Sequence, residues 1–93
     1  MKNLMWVFNS KWFVNFALKE HISDATLCGA VNDAEIGNID AEYGGGVIKQ
    51  RVARPNKGKS GGYRTIILFR RGDRAFFVYA FPKSGRDNIN ALQ

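Results

Sequence analysis

Apolar and polar positions alternate with two different periods along the chain, and the change of period divides it. Leu4 to Phe8 is a short apolar run closed by Asn9 and Ser10, which predicts a first strand and then a helix capped by Ser10. From Lys11 the polar residues Lys11, Asn15 and Lys19 recur every fourth position while Trp12, Phe13, Val14, Phe16, Ala17 and Leu18 fill the rest, the pattern of a helix buried over most of its circumference. Core packing is therefore the expected role of Trp12, Phe13 and Phe16. Ser23-Asp24 signals a second helix start, Leu27, Val31 and Ala34 share one face, and Gly37-Asn38 is a stop signal. Two helices are thus expected within residues 11–36.

After Gly44-Gly45-Gly46 the period becomes two. Val47 to Ala53 places Lys49 and Arg51 on one face and Ile48 and Val52 on the other. Tyr63 to Arg70 and Ala75 to Phe81 are β-branched and aromatic runs joined by Arg71-Gly72-Asp73-Arg74, a hairpin turn. Pro82 ends the last strand, and Arg86 to Gln93 reads as a short helix start or a frayed end. The expected fold class is α+β, with the two N-terminal helices packed on one face of a small, largely antiparallel twisted sheet made from 47–53, 63–70 and 75–81.

Composition adds limits. Ninety-three residues with 45% apolar content suit one globular domain spanning 1–93 rather than a disordered chain. No apolar run reaches the ~20 residues of a bilayer span, and Met1 to Ser10 lacks a signal-peptide h-region, so a soluble cytoplasmic protein with no membrane role is expected. Cys28 and His21 are single; neither an internal disulfide nor a zinc cluster can be assembled from them, and no metal or cofactor is expected. Cys28 reads as a small buried apolar residue, and His21 as structural or surface.

Charge changes the picture more. Residues 1–48 hold three lysines against six acids, whereas 49–93 hold eleven Lys/Arg against Asp73 and Asp87. A strongly basic half attracts polyanions, and nucleic acid is the commonest of these in the cytoplasm. Ala53 to Tyr63 reads as a loop that concentrates Arg54, Lys57 and Lys59 between Arg51 and Arg64. Ala53-x4-Gly58-Lys59-Ser60 loosely matches a phosphate loop. That match fails on context, because such a loop must open a helix and this one leads into the strand-like YRTIILF.

Three segments carry a family resemblance: Gly45-Gly46-Val47-Ile48-Lys49-Gln50-Arg51-Val52-Ala53-Arg54-Pro55, Gly58-Lys59-Ser60-Gly61-Gly62-Tyr63-Arg64-Thr65, and Arg74-Ala75-Phe76-Phe77 with Lys83-Ser84-Gly85-Arg86-Asp87-Asn88-Ile89. Over nearly its whole length the chain resembles the RelE/HigB-like toxins of bacterial type II toxin–antitoxin modules. The resemblance implies an enzyme that enters the ribosomal A site and cuts messenger RNA there without a metal, neutralised by an antitoxin, expected to be a small helix-turn-helix protein. It also implies site residues. Arg64 matches the arginine that stabilises the scissile phosphate, Lys49 and Arg51 lie on the strand that supplies basic catalytic residues, and Lys57 and Lys59 match the basic loop of the HigB-like branch. Lys83 and Arg86 match the basic segment after the last strand. Where some relatives carry an arginine and a tyrosine near the chain end, this sequence has Ser84 and Asn90, so no catalytic tyrosine is expected there.

The chemistry must then run on cations. Cleavage by the RNA's own 2′-OH needs a base, stabilisation of charge on phosphorus and protonation of the 5′ oxygen. Arginines only stabilise charge, and an ammonium crowded by like charges gives up its proton more readily, which leaves Lys49, Lys57 and Lys59 as candidates for a weak general base. Arg54, Lys83 and Arg86 are expected RNA contacts, with Tyr63 as the one aromatic expected to stack on a base. Two other functions fit the same residues: a toxin of this fold that blocks another target such as DNA gyrase by binding, and a nucleic-acid-binding regulatory module.

Overall fold

The computed structural model of the chain describes residues 6–54 and 58–82, with side chains at all of these positions except 54 and 58–61. Its elements run β1 (Trp6–Asn9), α1 (Lys11–Lys19), α2 (Asp24–Glu35), β2 (Ala41–Gly44), β3 (Val47–Arg54), β4 (Gly58–Arg70) and β5 (Arg74–Pro82). The strands form one sheet in the order β1-β5-β4-β3-β2. Every neighbouring pair is antiparallel except β1–β5, which is parallel. The expected α+β class is borne out, and the 11–36 helices and the β3–β4–β5 meander lie where the periods place them.

Local chemistry sets the helix ends. Ser10 Oγ accepts from Phe13 N at 3.0 Å and donates to Val78 O at 2.9 Å, so the cap of α1 is also a tie to β5. Ser23 caps α2 through Thr26 N at 3.1 Å. Both helices close by the same pair of backbone hydrogen bonds around a left-handed residue. At α1 it is His21, with φ 59°, where Ile22 N donates to Ala17 O at 2.9 Å. At α2 it is Gly37, with φ 92°, where Asn38 N donates to Asp33 O at 2.8 Å. Histidine is one of the few side chains that tolerates this backbone region, so the single imidazole serves a turn.

One sheet face meets the helices. Phe13, Leu27, Val31 and Ala34 pack with Ile48, Val52, Tyr63, Ile67, Ala75 and Phe77, and the Phe13 and Phe77 rings lie 5.0 Å apart. The opposite face has no helix over it among the described residues, and there Trp6, Phe8 and Leu68 are exposed.

Four expectations need correction. Only Phe13 of α1 is buried; Trp12, Val14 and Leu18 are exposed, because a two-layer domain covers one side of each helix. Trp12 still packs, stacking on Tyr79 at 4.4 Å and on Phe16 at 5.3 Å. Cys28 is exposed, since α2 turns Leu27, Ala30, Val31 and Ala34 inward. The 53–63 segment is largely strand, for β3 runs to Arg54 and β4 begins at Gly58, with Arg54 paired to Gly58. Finally, β2 is an edge strand that the reading left out, returned onto β3 by three positive-φ glycines, Gly44 to Gly46. Gly46 is the constrained one: its carbonyl accepts from Phe69 N at 2.7 Å, and a Cβ there would lie 3.3 Å from Phe69 O. The expectation for 86–93 lies outside the described residues.

Candidate functional site

The β3–β4 register decides which cations meet. Arg51 stands opposite Arg64 and Lys49 opposite Ile66, while Gln50 stands opposite Thr65 and Val52 opposite Tyr63. Directly paired residues share a face, so Lys49, Arg51 and Arg64 emerge on the face away from the helices. Gln50, Val52, Tyr63 and Thr65 emerge on the helix side, and all four are buried. Alternate positions along β3 are ~6.5 Å apart and directly paired Cβ atoms ~5 Å. Three of the expected catalytic cations therefore form one cluster.

Like charges directly across a sheet repel, and an acid from the turn between α2 and β2 lies between the two arginines. Asp40 Oδ1 accepts from Arg51 Nε at 3.3 Å, and Asp40 Oδ2 lies 3.3 Å from Arg64 Nε. The surroundings of the two guanidiniums differ: the Arg51 side chain is 52% exposed, that of Arg64 only 7%. Arg64 Nη1 is buried and has no hydrogen-bond partner among the described residues. An arginine stays protonated and carries five donors, so this cluster holds a buried donor whose acceptor is not supplied by any of the described residues.

Asp40 is held by Gln50. Gln50 Oε1 accepts from Asp40 N at 3.0 Å, and its Nε2 donates to Ala30 O at 3.1 Å and Asn38 O at 2.9 Å. One buried amide thus ties β3 to α2 and to the turn that follows it. Beside this tie a cleft of about 330 Å³ is lined by Asp33, Asn38, Ile39, Asp40, Gln50 and Arg51.

Tyr63 is a correction. It is 3% exposed, its ring meets Phe16 edge-on at 5.1 Å, and its hydroxyl donates to Glu20 Oε1. The ring is core and offers no face to a base. Lys59 and Arg54 are placed by their backbones alone, on β4 and β3. Lys57, Lys83 and Arg86 lie outside the described residues. The sequence reading missed Asp40 and Gln50. Gln50 had a signal, being a polar residue at an inward position between Ile48 and Val52, where a buried amide needs several partners. Asp40 had none, since only the fold brings it to β3.

Among the described residues no group of three or more His, Cys, Asp or Glu could hold a metal ion, and no helix is long and apolar enough to cross a membrane. Two helices on one face of a sheet, with paired arginines on the other, define a small α+β protein with a cationic cluster on its second face. A family model for the RelE toxin of the RelE/RelB toxin–antitoxin system matches residues 5–93, and the chain belongs to that family. Its members are toxins paired with an antitoxin, and they are generally endoribonucleases. Comparison with curated proteins finds no match.

Proposed function

We propose that this toxin cleaves messenger RNA on the ribosome, in the cytoplasm, by a metal-independent transesterification centred on Arg64. The observation that carries the reading is the buried Arg64 guanidinium, whose Nη1 lacks a partner among the described residues, beside the half-exposed Arg51 and with Lys49 on the same face. A scissile phosphate docked there would receive charge-assisted hydrogen bonds from two preorganised guanidiniums as negative charge builds on its nonbridging oxygens. Lys49, together with Lys57 and Lys59 in the sequence, supplies the candidates for proton transfer. With lysines as the bases, catalysis in free solution is expected to be poor, and the ribosome supplies the orientation that the site lacks. The antitoxin is expected to cover the same open face with acidic side chains against Arg51 and Arg64 and apolar ones against Trp6, Phe8 and Leu68.

The test is cleavage of defined mRNA on programmed ribosomes, with mapping of the cut ends, and again with a 2′-deoxy residue at the cut position. Cleavage only on ribosomes and only with the 2′-OH supports the proposal. Binding without cleavage would instead assign the family's fold to a blocking or regulatory role.

A further inference from the structure

Asp40 is not among the residues expected to act on RNA, yet it contacts both arginines of the cluster and is itself held by Gln50. We infer that Asp40 is a positioning residue for the phosphate site, holding Arg51 and Arg64 side by side so that both guanidiniums act on one phosphate; this rests on the cleavage reading above. Three observations carry it. First, the register forces two guanidiniums onto neighbouring positions of one face, where mutual repulsion would drive the half-exposed Arg51 away from Arg64. Second, the carboxylate spends one oxygen on the Nε of each arginine. Arg64 Nη1 keeps no partner among the described residues, so donor capacity on that guanidinium is left for a phosphate. Third, Asp40 is built in. Its backbone N–H is tied through Gln50 to Ala30 and Asn38, and the chain reaching it leaves α2 through the closed Gly37–Asn38 turn. A solvated surface ion pair has no such scaffold and contributes little.

The inference differs from simple neutralisation in what it predicts for binding and for rate. Removing the carboxylate leaves more net positive charge facing RNA, so association should hold or tighten, and its salt dependence should steepen by up to ~0.7 in the log–log slope, the value for one further phosphate contact on a single strand. The chemical step should slow, because the two donors no longer sit where charge develops.

The experiment uses the full chain as Asp40→Asn and Asp40→Glu. It measures single-turnover cleavage on programmed ribosomes at saturating protein, normalised to the folded fraction, and the salt-dependent affinity for an uncleavable 2′-deoxy-substituted message. Asp40→Asn is expected to cut about tenfold or more slowly, with affinity equal or higher and a steeper salt slope. Asp40→Glu, which restores the charge one methylene further out, is expected to recover part of the rate and the original slope, and it keeps the test open should Asp40→Asn fold poorly. A wild-type rate at saturation for Asp40→Asn overturns the inference, as does a loss of rate and affinity in the same proportion, or a Glu variant no better than Asn. Wild-type protein that binds but never cuts would instead sink the cleavage reading, and the salt slopes would still report whether Asp40 offsets the arginine pair.

Discussion

Gln50→Leu tests the scaffold of the site without touching a charge. Leucine has nearly the volume of glutamine, so the cavity term is small, and the change isolates three hydrogen bonds. Their weights differ. Ala30 O lies inside α2 and keeps its helical partner, so losing Gln50 Nε2 costs it little. Asn38 O and Asp40 N lose the partner at 2.9 and 3.0 Å in partly buried positions. At about 0.5–1.5 kcal/mol per bond, rising where a group is left unsatisfied, the loss is roughly 2–4 kcal/mol. The added apolar surface offsets about 1 kcal/mol of this, for a net destabilisation of about 1–3 kcal/mol. For a domain of this size that is a fall in thermal midpoint of roughly 5–20 °C. Urea and thermal unfolding followed by circular dichroism measure it, and single-turnover cleavage by the folded fraction measures the effect on Asp40. Gln50→Glu should be worse than Leu, because it turns a carboxylate toward two carbonyl oxygens. A loss under about 0.5 kcal/mol with an unchanged rate at saturation would refute the reasoning that Gln50 holds Asp40 in place.

Arg64→Lys keeps a charge opposite Asp40 and loses the planar fork. Cleavage at saturation should fall by about a hundredfold or more while ribosome association survives, and a wild-type rate would reduce Arg64 to a point-charge contact. Tyr63→Phe removes the bond to Glu20 and should cost about 0.5–1.5 kcal/mol in urea unfolding. Its RNA affinity should be unchanged, and a clear loss of affinity would restore Tyr63 as an RNA contact. Ser10→Ala removes both the cap of α1 and the bond to Val78 O, with an expected loss of about 1–2 kcal/mol; an unfolding midpoint equal to wild type would show that α1 does not depend on it.

Elements whose periods are set by local chemistry were legible from the sequence. Ser10, Ser23 and Gly37-Asn38 mark helix ends through bonds within a few residues, and the 71–74 turn joins strands that are adjacent in both sequence and space. β2 and the parallel pairing of β1 were not legible for the opposite reason. Ala41–Gly44 is four residues long and mostly exposed, so it has no buried face to print a period of two. The partner of β1 is β5, some 70 residues along the chain, and no local pattern encodes that choice. The burial of α1 was overestimated because period alone cannot tell a helix enclosed on all sides from one that lends its remaining aromatics to an edge, as Trp12 does with Tyr79.

The candidate site was half legible, and charge shows why. By sequence the acids belong to the first half and the cations to the second, and that division made a polyanion partner the natural reading. Folding then lays the turn after α2 against β3, which brings Asp40 from the acidic half between Arg51 and Arg64 of the basic half. Charge segregated along the chain is therefore not charge segregated in space, and the count of cations alone overstates the field at the cluster. What survives is geometry: two guanidiniums fixed by strand register, one carboxylate shared between them, and a buried donor with no partner among the described residues. That arrangement favours a single phosphate at a defined place over diffuse attraction to a nucleic-acid surface. A protein that depended on net charge alone would lose affinity evenly as each cation was removed; a site of this kind should lose rate at Arg64 and Asp40 while affinity responds mainly to the exposed cations.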